Sequence, residues 1–239
     1  MAQTEKPHPS LLLLSNSRNP AGEYLVDALA AIAAFAGQRR KALFFPFAGV
    51  TVGWDAYLAM VQEALRPIGL VLTGAHTCAD MRRAVAEAEL LVVGGGNTFR
   101  LLQEMRAHAC LSPVREAVRA GTPYIGWSAG AVLASPTICT TNDMPIVNPD
   151  GLDALELVPF QINAHYNNAL PAGHQGETRN QRIAEYLLLN PHARVVGLPE
   201  GNWLQAHGTT FTLHGPHPNM LFLPGKEPAS IASGPLVLA

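Results

Sequence analysis

Charge is scarce in this chain. Of 239 residues only 14% are Asp, Glu, Lys or Arg, and 16 basic against 18 acidic side chains leave a formal net charge of −2. No general field draws in nucleic acid or anionic lipid, so neither partner is expected and a charged ligand has to be caught locally. Cysteine is scarce too: Cys78, Cys110 and Cys139 stand far apart with no CxxC pair. That spacing excludes a disulfide framework and a cysteine zinc site, and reads as three reduced thiols packed as small hydrophobes. Long apolar runs are also missing. The longest near the N-terminus, Leu11–Leu14, is too short for a membrane span or for the core of a secretory signal, so a cytoplasmic setting is the expectation. The 21 glycines and 19 prolines do not reach low-complexity levels, and 48% hydrophobic residues suffice for one substantial core.

What is present is an alternation. After a polar leader (residues 1–10), apolar runs recur at Leu11–Leu14, Ala42–Phe45, Leu70–Thr73, Leu90–Val93 and Tyr124–Gly126. These read as buried strands. Between them, helical periodicity covers Glu23–Ala36, Trp54–Arg66, Asp80–Glu87, Thr98–Arg106 and a stretch from Ser112-Pro113 to near Gly121. Strands alternating with helices predict a doubly wound α/β fold with a mostly parallel sheet. Beyond Ser135 prolines interrupt the chain. One further helix follows the capping box Thr178-Arg179-Asn180-Gln181, and short strands are expected at Val195–Leu198, Trp203–Ala206, Thr210–Leu213 and Met220–Leu223. No linker or repeat divides the chain, so residues 1–239 are expected to form one domain.

Chemistry concentrates at a few turns. Gly126-Trp127-Ser128-Ala129-Gly130 follows a strand and precedes a small-residue stretch that can continue as a helix. This is the context of a nucleophile elbow, where flanking glycines allow a sharp turn that presents a serine hydroxyl. A serine needs a base, and His165 ends an apolar-polar alternation just before a polar loop. The base needs an orienting acid, for which Asp143 and Glu200 are both candidates that the residues alone do not separate. Gly94-Gly95-Gly96-Asn97 opens a helix with free amides but completes neither G-x-G-x-x-G, because Phe99 holds the last position, nor a P-loop. Its better use is half of an oxyanion hole, with the Ala129 amide as the other half. Arg179 lies in a first helical turn, where the macrodipole disfavours a cation, and so suggests an anionic partner; the preceding loop, residues 173–177, could fold over a site. His214 and His217 lack a third ligand, and no metal is expected.

The motifs together resemble serine peptidase family S51, the aspartyl dipeptidases. The likeness covers most of the chain and rests on Gly94–Phe99, Gly126–Ala131, Thr140–Ile146, Gln161–His165, Gly176–Arg179 and Gly197–Trp203. It implies a glutamine-amidotransferase-like (flavodoxin-like) α/β fold and metal-independent, cofactor-free hydrolysis of dipeptides with an N-terminal aspartate. It further implies Ser128 as nucleophile, His165 as base, Asp143 as charge-relay residue with Glu200 as the alternative orienter, Gly96 in the oxyanion hole and Arg179 on the aspartate side chain. The chain departs from the family around the histidine, where Ala164 and Tyr166 stand in place of proline and phenylalanine.

Two other readings compete. One is a hydrolase of β-aspartyl linkages, as in the related cyanophycinases; the Thr-Asn-Asp-Met-Pro and Gly-Glu-Thr-Arg segments favour the dipeptidase over it. The other is a non-catalytic protein that binds an acidic metabolite through the glycine loop and Arg179. The expected partner is in each case a small acidic molecule, and the chain is expected to be a monomer or homodimer.

Overall fold

The computed structural model describes residues 8–170, 172–173 and 175–238. Residues 1–7 of the expected leader lie outside these. Ser10, assigned to the leader, instead pairs with His207 at the start of the first strand.

Five parallel strands build the centre: β1 (Ser10–Leu14), β2 (Lys41–Phe45), β3 (Val71–Gly74), β4 (Leu91–Val93) and β5 (Tyr124–Trp127). They lie side by side in the order β3-β2-β4-β5-β1. Each strand sends alternate side chains to opposite faces. Leu12, Leu14, Phe44, Val92, Ile125 and Trp127 pack on α1 (Leu29–Ala36) and α2 (Trp54–Leu65) through Ile32, Tyr57 and Val61. Leu11, Leu13, Phe45, Leu91, Val93 and Tyr124 join the opposite core. There they share one cluster with Val85 of α3 (Met81–Glu87), Leu101 and Met105 of α4 (Thr98–Ala107), and Val114 and Val118 of α5 (Leu111–Arg119). Both faces are therefore covered, which is why these strands are almost uniformly apolar.

Two helices begin elsewhere than expected. Periodicity suggested a helix from Glu23, yet α1 starts at Leu29, because Gly22 and Leu25 both adopt positive φ (83° and 57°) and turn the chain first. The proline of α5 is its third residue rather than its first, still within the turn whose amides have no intrahelical partner.

After the short α6 (Ala129–Leu133) the chain leaves the main sheet. β6 (Gln161–Asn163) and β7 (Val195–Gly197) pair in parallel, joined by α7 (Arg179–Leu189). The expected capping box of α7 is present, with Thr178 accepting from the Gln181 amide and Gln181 from the Thr178 amide. β8 (Trp203–His207) and β9 (Thr210–His214) return antiparallel to the main sheet, where β8 lies against β1. β10 (Asn219–Phe222) and β11 (Ala229–Ile231) extend the second sheet, and β12 (Gly234–Pro235) edges the first. The fold is thus mixed α/β, with a large mostly parallel sheet and additional C-terminal strands divided between two sheets.

Candidate active site

Ser128 sits where β5 turns sharply into α6, with φ 53° and ψ −115°. A non-glycine residue holds such a conformation only when its surroundings over-determine it. Here Gly126 and Gly130 make the turn: a Cβ on Gly126 would run into the Gly130 carbonyl, and one on Gly130 into the Val93 carbonyl. The Ser128 amide donates to Leu14 O at 3.0 Å, tying the elbow to the end of β1.

His165 comes from the loop after β6 and has φ 52°. Its Nε2 lies 2.8 Å from Ser128 Oγ and its Nδ1 2.7 Å from Glu200 Oε1. Ser128, His165 and Glu200 form one continuous chain of hydrogen bonds. Glu200 follows β7, which runs beside β6, so adjacent parallel strands deliver acid and base to the same edge.

Asp143 is not the residue that holds the histidine. Its Oδ2 accepts from the Thr98 amide (2.7 Å), the Thr98 hydroxyl (2.5 Å) and the Thr141 hydroxyl (3.1 Å). It is committed to the N-terminus of α4, where free amides and the helix dipole favour a carboxylate. The neighbouring residues brace the site from the same segment. Asn97 Nδ2 donates to Met144 O at 2.9 Å, and Asn142 Nδ2 to Ala164 O at 2.9 Å. Residues 142–144 thus join the glycine turn to the backbone just before His165.

Ser15, absent from the sequence-based candidates, organises the rest. Its fully buried hydroxyl donates to Leu198 O (2.8 Å) and accepts from the His165 amide (2.9 Å), while its own amide donates to Asn202 O (3.0 Å). Asn16 Oδ1 accepts from the Gly201 amide at 2.8 Å. Leu14, Ser15 and Asn16 therefore hold the segments carrying Ser128, His165 and Glu200. The available signal was a run of polar residues directly after the apolar run Leu11–Leu14, the place where sites collect in such sheets.

A cleft of about 440 Å³ opens over Ser128. Its walls come from the carboxyl ends of neighbouring strands: Ser17 and Tyr24 after β1, Ala48 to Val52 after β2, Gly95 to Asn97 after β4, with His165 beside them. Gly96 adopts φ 136°, and a Cβ there would collide with the Ala48 carbonyl. Among the described residues no hydrogen bond occupies the amides of Gly96 or Ala129. The Tyr24 and Tyr57 hydroxyls bond each other at 3.1 Å, and Tyr57 donates to Gly95 O at 3.0 Å. Burial raises both phenols, so they remain neutral around the site.

Arg179 occupies the first turn of α7, half-buried, and does not line this cleft. Burial, and secondarily the Arg182 charge, lower its pKa without neutralising it. Its helix is anchored to the chain after the histidine: Tyr166 Oη donates to Asn180 Oδ1 at 2.7 Å and the Asn180 amide to Asn168 Oδ1 at 2.9 Å. In the loop before it His174 lies outside the described residues, and Glu177 faces Arg182 at 4.0 Å.

A serine on a strained strand-to-helix elbow, bonded to a histidine that is bonded in turn to a carboxylate, is the constellation of a serine hydrolase on an α/β sheet. A sequence profile of peptidase family S51 matches residues 11–214. Peptidase E of Salmonella newport (strain SL254) is 53% identical over 224 residues, 94% of this chain and 98% of that one, and peptidase E of Citrobacter koseri matches to the same extent. The 1.5 Å crystal structure of a Listeria monocytogenes EGD-e protein provisionally assigned to peptidase E superposes with a TM-score of 0.66 at 25% identity, covering 87% of this chain and 99% of that one. A peptidase from an acI-B1 actinobacterium shares the fold, with a TM-score of 0.63 at 16% identity over 95% of this chain and 98% of its own. The chain belongs to peptidase family S51.

Proposed function

We propose that this chain is a serine-type aspartyl dipeptidase hydrolysing Asp-X dipeptides, a reading that rests on its resemblance to the aspartyl dipeptidases of family S51 and is consistent with the name of its peptidase E relatives. The observation that carries the mechanism is the bond from Ser128 Oγ to His165 Nε2, with Glu200 on the opposite ring nitrogen. His165 takes the hydroxyl proton as Ser128 Oγ attacks the aspartyl carbonyl carbon. The oxyanion is stabilised by the amides of Gly96 and Ala129. As the tetrahedral intermediate collapses, the C–N bond breaks and His165 passes its proton to the leaving amine, releasing residue X. Water then attacks the aspartyl ester, giving one proton to His165 and returning Ser128 with free aspartate. Glu200 accepts the Nδ1–H bond and stabilises the imidazolium that forms.

Arg179 takes the aspartate side chain in this reading, on the strength of the family resemblance. The anchoring of α7 to the segment after His165 supports it. Asp143 acts through the glycine turn rather than through the histidine. A cytoplasmic setting fits this activity, and no helix of the described residues is long and apolar enough to cross a membrane.

The test is hydrolysis of paired α-Asp-Leu and β-Asp-Leu, with Ser128→Ala as control. Cleavage of the α-linked peptide alone, abolished in Ser128→Ala, is expected. Selective cleavage of the β-linked peptide would overturn the assignment, and so would α-cleavage that survives in the variant.

A further inference from the structure

We propose that Arg18 binds the C-terminal carboxylate of the substrate, so that the cleft selects free dipeptides over amides and longer peptides. This rests on the Asp-X hydrolysis proposed above and names the residue that reads the far end of the substrate.

Arg18 lies in the loop after β1, exposed, and lines the neighbouring cavity that Asp27 and Glu200 also border, while its guanidinium reaches two residues of the Ser128 cleft wall. Its Cζ stands 5.2 Å from the Tyr24 ring centroid, Nη2 lies 3.9 Å from Met60 Sδ, and Nη1 donates to Gly22 O at 2.6 Å. Tyr24 and Met60 both line the cleft that Ser128 opens into. The acids of its own loop are turned elsewhere, Glu23 and Asp27 both accepting from Asn19 Nδ2, at 2.8 and 3.2 Å. Among the described residues Arg18 has no carboxylate within ion-pair distance. A guanidinium has about five N–H donors, and stacking on an aromatic face leaves its edge free. The side chain is thus fixed in place with its charge and most of its donors unused. Its field also reaches the hydroxyl wall of the cleft: burial raises the Tyr57 phenol, while hydrogen bonds and the Arg18 charge work in the opposite direction.

The substrate supplies what this geometry lacks. An Asp-X dipeptide carries two carboxylates, one on the aspartate side chain and one at the end of residue X. The cleft wall includes Val50, Val52 and Met60, suited to the apolar side chain of a residue X. In a dipeptide the side chain and the terminal carboxylate of X branch from one Cα. Seating that side chain against Met60 brings the carboxylate within reach of the guanidinium that touches the Met60 sulfur. A planar fork then captures it in bidentate fashion, which an amide or a continuing peptide chain cannot reproduce.

The experiment compares kcat/KM for Asp-Leu and Asp-leucinamide in the wild-type protein, Arg18→Gln and Arg18→Lys. Wild type is expected to favour the acid by about tenfold or more, the usual reach of one charge-assisted contact. In Arg18→Gln the loss on the acid should exceed the loss on the amide by about the same factor and appear in KM, with part of the preference restored in Arg18→Lys. Equal losses on both substrates would overturn the proposal and move Arg18 to the aspartate side chain or to a structural role. An unchanged preference in Arg18→Gln would also overturn it. Wild-type protein that cleaves neither substrate would instead refute the dipeptidase reading.

Discussion

At the scale of the residue, the two candidate acids have separable consequences. Glu200 touches His165, the proposed base, and Asp143 does not, so Glu200→Gln should lower kcat/KM by about 10²–10⁴-fold and alter the acidic limb of the pH–rate profile. Asp143→Asn should lower kcat and leave that limb where it is. Rate profiles of both variants on Asp-Leu decide the matter, and a displaced limb in Asp143→Asn alone would reverse the roles. Ser15→Ala removes a buried hydroxyl that serves the His165 amide and the Leu198 carbonyl together. It should cost about 1–3 kcal/mol in chemical denaturation and reduce activity beyond what the stability loss explains. Sequence marked Ser128 and His165 as candidates because an elbow and a strand end leave local marks, and the structure brings the two side chains together. It could not choose between Asp143 and Glu200, since both stand in polar turns near prolines. The choice is made by which turn β7 delivers beside β6, a fact of pairing between distant segments.

At the scale of the element, α4 is the support on which the glycine turn rests. Asp143 binds its first amide, and Asn97 caps it by accepting from the Arg100 amide at 3.0 Å. Asp143→Ala should cost about 1–2 kcal/mol as a lost charged cap, lowering Tm by about 2–4 °C per kcal/mol in a chain of this size. Calorimetry beside a kinetic assay should show the loss of rate exceeding the modest loss of stability, because the turn is displaced before the helix melts. α6 makes the opposite demand, for absence of bulk. Gly130→Ala drives a methyl into the Val93 carbonyl and should destabilise by at least about 1–3 kcal/mol. The parallel strands and most helices were legible because burial on both faces writes continuous apolar runs and amphipathic helices write a 3.6-residue period. The start of α1 was not, since positive φ at Leu25 follows from the loop it closes, whose carbonyl at Ser17 accepts the Leu25 amide at 2.6 Å.

At the scale of the whole molecule, all five tyrosines have raised pKa values, with burial the leading cause in each. Burial also pushes the Cys110 thiol up to about 12. A folded-state pKa above the unfolded value means the native protein holds protons that the unfolded chain releases. Stability is therefore undiminished by these tyrosines below about pH 10, the unfolded tyrosine value, and falls as pH rises above it. Absorbance of tyrosinate during an alkaline titration should rise together with loss of helical circular dichroism; an independent rise near pH 10 in a still-folded protein would contradict this. The division of the last strands between two sheets was not readable from their sequences, because β7 to β10 are only three to five residues long and long-range pairing alone assigns each to its sheet. The end of β1 also dates the appearance of activity. That strand is made before every segment its last residues hold, lies between β5 and β8, and waits up to 187 residues, from Ser15 to Asn202, for the last of those segments to emerge. The nascent chain is consequently silent until its C-terminal third is released, and in refolding, hydrolysis should be the last signal to return, an enzymatic clock for closure of the sheet.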